Sequence, residues 1–215
     1  MAAKKAKRQA WMVDQSKVLT ANEINSVLAD LKRKSRRSIN TQQNLVIFRL
    51  STCCGLRASE IGGLKLDNLK LNNERPSIRV PKTVAKGQKA RTVPVFDSGT
   101  LDDLRAWKAA RIGQRATGAA LVVCSQHKDS LGNAIDRRNL RMRFKACCKV
   151  LGKERAEEIT IHHGRHSFVS HLLYNGTPVT EVQRAAGHAS LSVTTIYSHL
   201  LDAPVPRQIF GVASA

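Results

Sequence analysis

Apolar residues first recur at helical spacing just after position 19. The pattern comprises Ile24, Val27, Leu28 and Leu31, which share one face of a helix. Thr20 precedes them as a candidate N-cap, and Glu23 follows three residues later, which is the capping-box arrangement. The pattern therefore predicts a helix that begins at about residue 20.

Further periodic segments follow along the chain. A broadly apolar stretch over roughly 41–54 predicts a second helix, which Gly55 ends, and helical patterns recur near 99–112, 135–151, 163–175, 178–186 and 192–201. Two short alternating runs, at 77–81 and 91–95, predict a β-hairpin with Lys86 and Gly87 at its tip. The predicted fold class is mainly α with one small antiparallel β-sheet (α+β).

The chain of 215 residues is long enough for one domain with a full-sized core. Residues 1–16 are basic and lack apolar periodicity, so we expect a flexible basic arm before a domain over 17–201. In the tail, 202–215, Pro204 and Pro206 stop the preceding helix, and an apolar cluster follows at 209–212. A tail of this kind can fold back onto its own domain.

The net charge indicates the class of partner. Lys and Arg outnumber Asp and Glu by 36 to 16, for a formal charge of +20, and so basic a chain is typical of nucleic-acid binding. A ribosome-associated protein and a membrane-surface binder are the alternatives. No apolar run approaches the ~20 residues of a spanning helix, and the start lacks a secretory signal, so we expect a cytoplasmic, nucleoid-associated protein. Five Phe, two Trp and two Tyr are few for base stacking, which favours double-stranded DNA.

The cysteines and histidines do not form a metal-site pattern. Five cysteines occur without a C-x-x-C spacing, which predicts small buried side chains rather than disulfides or zinc ligands. His162 and His166 have the spacing of zinc ligands, but the Glu of the H-E-x-x-H motif is missing. With no Gly-rich nucleotide loop either, the sequence predicts neither a metal nor a cofactor.

Five segments carry candidate chemistry. They are G-L-R-A-S-E ending at Glu60, A-K-G-Q-K-A-R around Lys86, H-H-G-R-H at 162–166, G-H-A-S at 187–190 and T-T-I-Y-S-H around Tyr197. Each alone has an ordinary explanation, such as an arginine at a helix end or a solvated basic hairpin. Together they supply two guanidiniums, a lysine, two imidazoles and a phenol. Such a set can hold a phosphodiester, attack it and protonate the leaving group.

In this order and at these intervals, the segments resemble the catalytic domain of the tyrosine recombinase (phage integrase) family. The resemblance extends from about residue 19 to residue 200 and implies the fold of DNA breaking-rejoining enzymes. It also implies a catalytic set, with Glu60 in a supporting role: Arg57, Lys86, His162, Arg165, His188 and Tyr197. Among the lysines of the hairpin, Lys86 is the one that the resemblance selects.

The roles follow from the chemistry of strand exchange. A tyrosine nucleophile, Tyr197, conserves the energy of the broken bond in a 3′-phosphotyrosyl ester that a DNA hydroxyl can later attack. Arg57, Arg165 and His188 stabilise the charge of the transition state. By the resemblance, His162 accepts the tyrosine proton and Lys86 protonates the departing 5′-hydroxyl.

Two features depart from the family pattern. His163 and Gly164 stand where most members have a small polar residue followed by Leu, so we expect a looser seat for Arg165. Only some 18 residues precede the first helix, where most members have a separate DNA-clamping domain. We therefore expect no such domain, in either a minimal recombinase or an excised fragment.

We expect a site-specific DNA recombinase or integrase that acts on duplex DNA as a homodimer or tetramer, with a monomer in solution left open. The resemblance implies that the tail docks onto a neighbouring subunit. Two alternatives share the chemistry, a type IB topoisomerase-like enzyme and a transposase. A third is a non-catalytic DNA-binding regulator that retains the fold.

Overall fold

A computed structural model describes residues 15–85, 87 and 89–187 of the chain. Outside the described residues lie most of the predicted arm (1–14), the predicted helix at 192–201 and the tail at 202–215. Three predicted site residues also lie outside them, namely Lys86, His188 and Tyr197.

The described chain is mainly helical with one small sheet. Its α-helices are α1 Ala21–Ser35, α2 Ile39–Thr52, α3 Ala58–Gly63, α4 Ser98–Gly113, α5 Arg137–Cys147, α6 Lys153–Glu158, α7 Ile161–Tyr174 and α8 Val179–Ala186. The strands are β1 Leu69–Lys70, β2 Ser77–Val80 and β3 Arg91–Pro94. The predicted fold class is confirmed.

The helix ends follow local chemistry. Thr20 Oγ1 accepts a hydrogen bond from the Glu23 amide (3.2 Å), and Glu23 Oε2 accepts one from the Thr20 amide (2.7 Å), so the predicted capping box is present. Within the region predicted as one helix over 135–151, α5 ends at Cys147 and a 3₁₀-helix, Cys148–Leu151, follows. Gly152, at φ 94°, then ends the 3₁₀-helix and precedes α6. The sequence pattern did not predict α6.

Helix α2 is the centre of the core. It packs against α1, α4, α5 and α7, and its second half is buried on every side, as expected for a helix without a polar face. The buried Arg49 on α2 is paired with α4, donating to Asp103 Oδ2 (2.8 Å) and Thr100 Oγ1 (3.1 Å). These bonds satisfy a charge that would otherwise be costly to bury.

The sheet is antiparallel in the order β1-β2-β3. Val80 pairs with Arg91 at the loop end of the β2–β3 hairpin, which confirms the predicted hairpin. The connecting segment folds against α3, since a Cβ on Gly63 would lie 2.4 Å from Val84 Cγ1. The described residues that lead into Lys86 are therefore held close to α3.

All five cysteines are buried thiols, as predicted, and burial raises the pKa of Cys148 to about 12. Within the described ranges, no helix combines the length and the apolar character needed to span a membrane.

Candidate active site

The turn between α2 and α3 positions Arg57. Gly55 takes φ 64°, and a Cβ there would lie 2.3 Å from Cδ1 of Phe168, so both backbone and packing require glycine. Arg57 follows as the N-cap residue of α3. Its amide donates to Oε2 of Glu60, one turn later (2.8 Å). The G-L-R-A-S-E segment thus builds a fixed starting point for the Arg57 side chain.

The Glu60 carboxylate is fully buried between two guanidiniums. It accepts from Arg57 Nη1 (3.1 Å) and, at both oxygens, from Arg91 Nη1 (2.6 Å) and Nη2 (2.8 Å). Burial alone would raise its pKa, but the hydrogen bonds and charges of Arg91 and Arg57 bring the pKa of Glu60 below its ordinary value. Glu60 is therefore an ionised side chain that holds Arg57 by a hydrogen bond and an ion pair. A supporting role for Glu60, as the sequence predicts, requires such a contact.

Arg91 belongs to this cluster, although the sequence pattern placed it only among the basic residues of the hairpin. Its side chain is 7% exposed. A signal was present in the pattern, because alternate residues of a strand share a face, and Arg91 lies on the same face as the buried Val93. A charge on the apolar face of a strand indicates an internal partner.

The start of α7 positions His162 and Arg165. Gly164 brings α7 against α2 so closely that a Cβ would lie 2.5 Å from Ser51 Oγ and 2.8 Å from Thr52 Oγ1. The Ser51 hydroxyl in turn donates to the Ile161 carbonyl (2.8 Å). The expected loose seat for Arg165 is therefore wrong, because glycine permits a closer helix contact than a larger residue would.

His163 also compensates for the departure from the family pattern. Its Nδ1 accepts a hydrogen bond from the Thr160 amide (3.2 Å), so the imidazole satisfies the N-terminus of α7 as an acidic side chain would. This bond requires an unprotonated Nδ1. Burial, followed by the charge of Lys17, lowers the pKa of His163.

Arg165 is 7% exposed and joins three elements. Its Nη1 donates to the Gly55 carbonyl and its Nη2 to the Ala186 carbonyl at the end of α8. Arg57 Nη2 donates to the next carbonyl, that of Gly187 (3.3 Å). Because they bind consecutive carbonyls, the two guanidiniums lie side by side.

His162 follows the first residue of α7 and is exposed. Partial burial of the ring, with the positive charges of Arg141, Arg165 and Arg57, lowers its pKa. The imidazole is consequently neutral at neutral pH. In that form it can accept a proton beside the two arginines.

The structure thus brings Arg57, Glu60, His162 and Arg165 together. Lys86, His188 and Tyr197 fall outside the described residues, but Gly187, which precedes His188 in sequence, is fixed. Gly187 is the left-handed C-cap of α8, at φ 66° and ψ 47°.

Across the described part of the chain, no three His, Cys, Asp or Glu side chains gather in a way that could hold a metal ion.

Comparisons with known proteins agree on one family. The model of the phage integrase family matches residues 17–203. Tyrosine recombinase XerC of Pseudomonas putida is 33% identical over 159 residues, which cover 74% of this chain and 48% of that protein. The chain therefore spans about half the length of this curated relative.

Solved structures share the fold. The XerA recombinase has a TM-score of 0.68 at 22% identity, over 92% of this chain and 62% of that one. The XerH site-specific recombinase, in a pre-cleavage complex with its difH substrate, has a TM-score of 0.68 at 25% identity, over 84% of this chain and 50% of that one.

Proposed function

Because the chain belongs to the phage integrase family of tyrosine recombinases, we propose that it cleaves and rejoins duplex DNA at a specific site through a 3′-phosphotyrosyl intermediate. The observation that carries this proposal is the pair of adjacent guanidiniums, Arg57 and Arg165, on the carbonyls that end α8. The domain with this activity extends over 17–201. It acts on the DNA of the cytoplasmic nucleoid.

The arginine pair is suited to a phosphodiester. A guanidinium stays charged at every relevant pH and offers forked donors that match two phosphate oxygens. Arg57 keeps a fifth of its side-chain surface exposed (20%), while Arg165 is nearly buried. Charge that develops on the equatorial oxygens of the transition state is stabilised here without reorganisation.

Proton transfer completes the reaction. A tyrosine has an ordinary pKa near 10 and must lose its proton during attack on phosphorus. His162, held neutral by its surroundings, accepts that proton from Tyr197. Lys86, in the segment between β2 and β3, donates a proton to the departing 5′-hydroxyl, and His188 adds a donor to the phosphate. The energy stored in the phosphotyrosyl ester then serves the rejoining step.

Assembly on DNA follows from the exchange of strands between two duplexes. We propose that the chain acts as a homodimer or tetramer on duplex DNA and that its tail, 202–215, docks onto a neighbouring subunit. The tail carries Ile209, Phe210 and Val212 beyond two prolines. An apolar cluster at the end of a chain is stabilised when a partner covers it.

The experiment begins with duplexes selected by the protein from a randomised library. A recombinase exchanges strands between two plasmid copies of the selected site. A topoisomerase-like enzyme relaxes the supercoiled plasmid without exchange, and a non-catalytic regulator binds the site but cuts neither substrate. The proposal is supported if the wild type exchanges strands and if Arg57→Gln and Arg165→Gln each abolish the exchange. Relaxation alone, or binding alone, contradicts it.

A further inference from the structure

Arg91 makes three side-chain hydrogen bonds to two separate elements. Both Nη atoms donate to the two oxygens of Glu60 in a forked arrangement, and Nε donates to the Ala185 carbonyl of α8 (3.0 Å). Because Arg91 is the first residue of β3, it links the hairpin to α3 and to the end of α8. All three guanidinium nitrogens of Arg91 already donate to Glu60 or to α8, so we assign them to these partners rather than to a phosphate.

The end of α8 is held by three guanidiniums in succession. Arg91 binds the carbonyl of residue 185, Arg165 that of 186 and Arg57 that of 187. Carbonyls in the last turn of a helix lack helical partners and carry partial negative charge. Three cations from three elements therefore fix the turn that leads into His188.

Gly187 shows how closely Arg91 approaches this turn. A Cβ on Gly187 would lie 2.7 Å from Cδ and 2.9 Å from Nε of Arg91. The stem of Arg91 thus occupies the space that a side chain would need. Glycine at 187 serves both the left-handed backbone and this contact.

Arg91 donates two of the four hydrogen bonds that the Glu60 carboxylate accepts. The carboxylate is buried, and Arg57 gives each oxygen one hydrogen bond, from its amide to Oε2 and from Nη1 to Oε1. The second bond to each oxygen comes from Arg91. Without Arg91, a buried carboxylate would draw Arg57 toward itself or lose its charge. Either change moves the Arg57 guanidinium from its position beside Arg165.

We propose that Arg91 is a positioning residue for this reaction, which holds the Glu60 carboxylate against Arg57 and ties the hairpin that carries Lys86 to the end of α8 that precedes His188. The inference rests on the proposed function, because the reaction is the one in which Arg57, Lys86 and His188 act together. Arg91 itself touches no reacting atom. A shift of about 1 Å in a catalytic group lowers rates by about 100-fold.

The first measurement needs no DNA. NMR spectra of the ¹⁵N-arginine-labelled protein give the guanidinium signals, and the signals that are lost in Arg57→Lys are those of Arg57. The Arg57 signals are then compared between wild type, Arg91→Gln and Arg91→Lys. Arg79→Gln is the matched control, since Arg79 is an exposed arginine of the same hairpin. We expect the Arg57 signals to shift and exchange faster with water in both Arg91 variants and to stay unchanged in the control. Unchanged Arg57 signals in the Arg91 variants overturn the proposal.

The second measurement separates binding from chemistry. Single-turnover cleavage of a selected, nicked duplex at saturating protein gives the rate, and a titration gives the Kd. For Arg91→Gln we expect a rate about 10- to 100-fold lower with a Kd close to that of Arg79→Gln. Arg91→Lys should recover only part of the rate, because an ammonium cannot make the fork and the Ala185 bond together.

The outcomes distinguish this inference from the proposed function. A cleavage rate of Arg91→Gln equal to that of Arg79→Gln, or a loss confined to Kd, overturns the positioning role. Should Arg91→Gln not fold, Arg91→Lys decides both measurements. Wild-type protein that never cleaves DNA contradicts the proposed function alone, since the signals of Arg57 still decide whether Arg91 positions it.

Discussion

At the residue scale, the fold keeps several histidines near the site neutral, and this lowers the free energy of unfolding at low pH. Burial, together with the neighbouring His163 and the charge of Arg165, lowers the pKa of His166 from 6.5 to about 4. As the pH falls, His166 therefore binds a proton near pH 6.5 in the unfolded chain but only near pH 4 in the folded chain. Between these values the free energy of unfolding falls as the pH falls, by at most about 1.4 kcal/mol per pH unit from His166.

Chemical denaturation across this range checks the prediction. We expect a shallower decline in stability for His166→Gln than for the wild type between pH 6.5 and pH 4. Parallel curves for the two proteins would show that His166 titrates alike in the folded and unfolded states.

Gly164 gives a second prediction at this scale. In Gly164→Ala the new methyl group meets Ser51 and Thr52 on α2, so overpacking should lower stability by about 1–3 kcal/mol. Gly113→Ala is the control, because Gly113 is a helical glycine, the last residue of α4, with open space around it. Thermal unfolding compares the two, and equal melting temperatures would show that α7 can move away from α2 at no cost.

Individual residues are predictable from the sequence where the chemistry is local. Taken together with the other three segments, G-L-R-A-S-E and H-H-G-R-H indicate Arg57, Glu60, His162 and Arg165. Arg91 is not singled out in this way, because its partners are a carboxylate 31 residues away and a helix carbonyl 94 residues away. Only the tertiary fold brings such groups together. The local sign of these contacts is that Arg91 shares a face of β3 with the buried Val93.

At the element scale, the β2–β3 hairpin gives the sharpest test. If Lys86 is the general acid, Lys86→Ala should cleave ordinary DNA about 10²–10⁴-fold more slowly. Sulfur in place of the 5′-bridging oxygen should restore the rate, because a thiolate leaves without a proton. Single-turnover rates on the two duplexes measure this. Rescue of Lys89→Ala, with none for Lys86→Ala, would assign the role to the other lysine.

Helices with strong local signals are the elements that the sequence predicts best. The capping box of α1 and the apolar body of α2 are such signals, and the structure follows both. The region over 135–151 is predicted as one helix but continues past Cys147 as a 3₁₀-helix. Short elements such as α6 and β1 have too few residues to show a period, and tertiary packing decides them.

At the scale of the whole molecule, a basic domain is followed by a tail that we propose assembles it on DNA. Removing residues 204–215 should leave the domain folded while lowering cooperative binding to DNA with two sites. The double variant Ile209→Ser and Phe210→Ser, which keeps the length of the tail, should act in the same way. Binding isotherms measure the cooperativity. An unchanged Hill slope in both proteins would show that the tail folds back or is idle.

The central claim is that this chain joins itself to DNA through Tyr197. The direct measurement is an SDS-resistant adduct on a selected, nicked duplex, and the control is Tyr174→Phe, which changes the other of the two tyrosines. We predict the adduct in the wild type and in Tyr174→Phe and none in Tyr197→Phe. An adduct that persists in Tyr197→Phe would contradict the account.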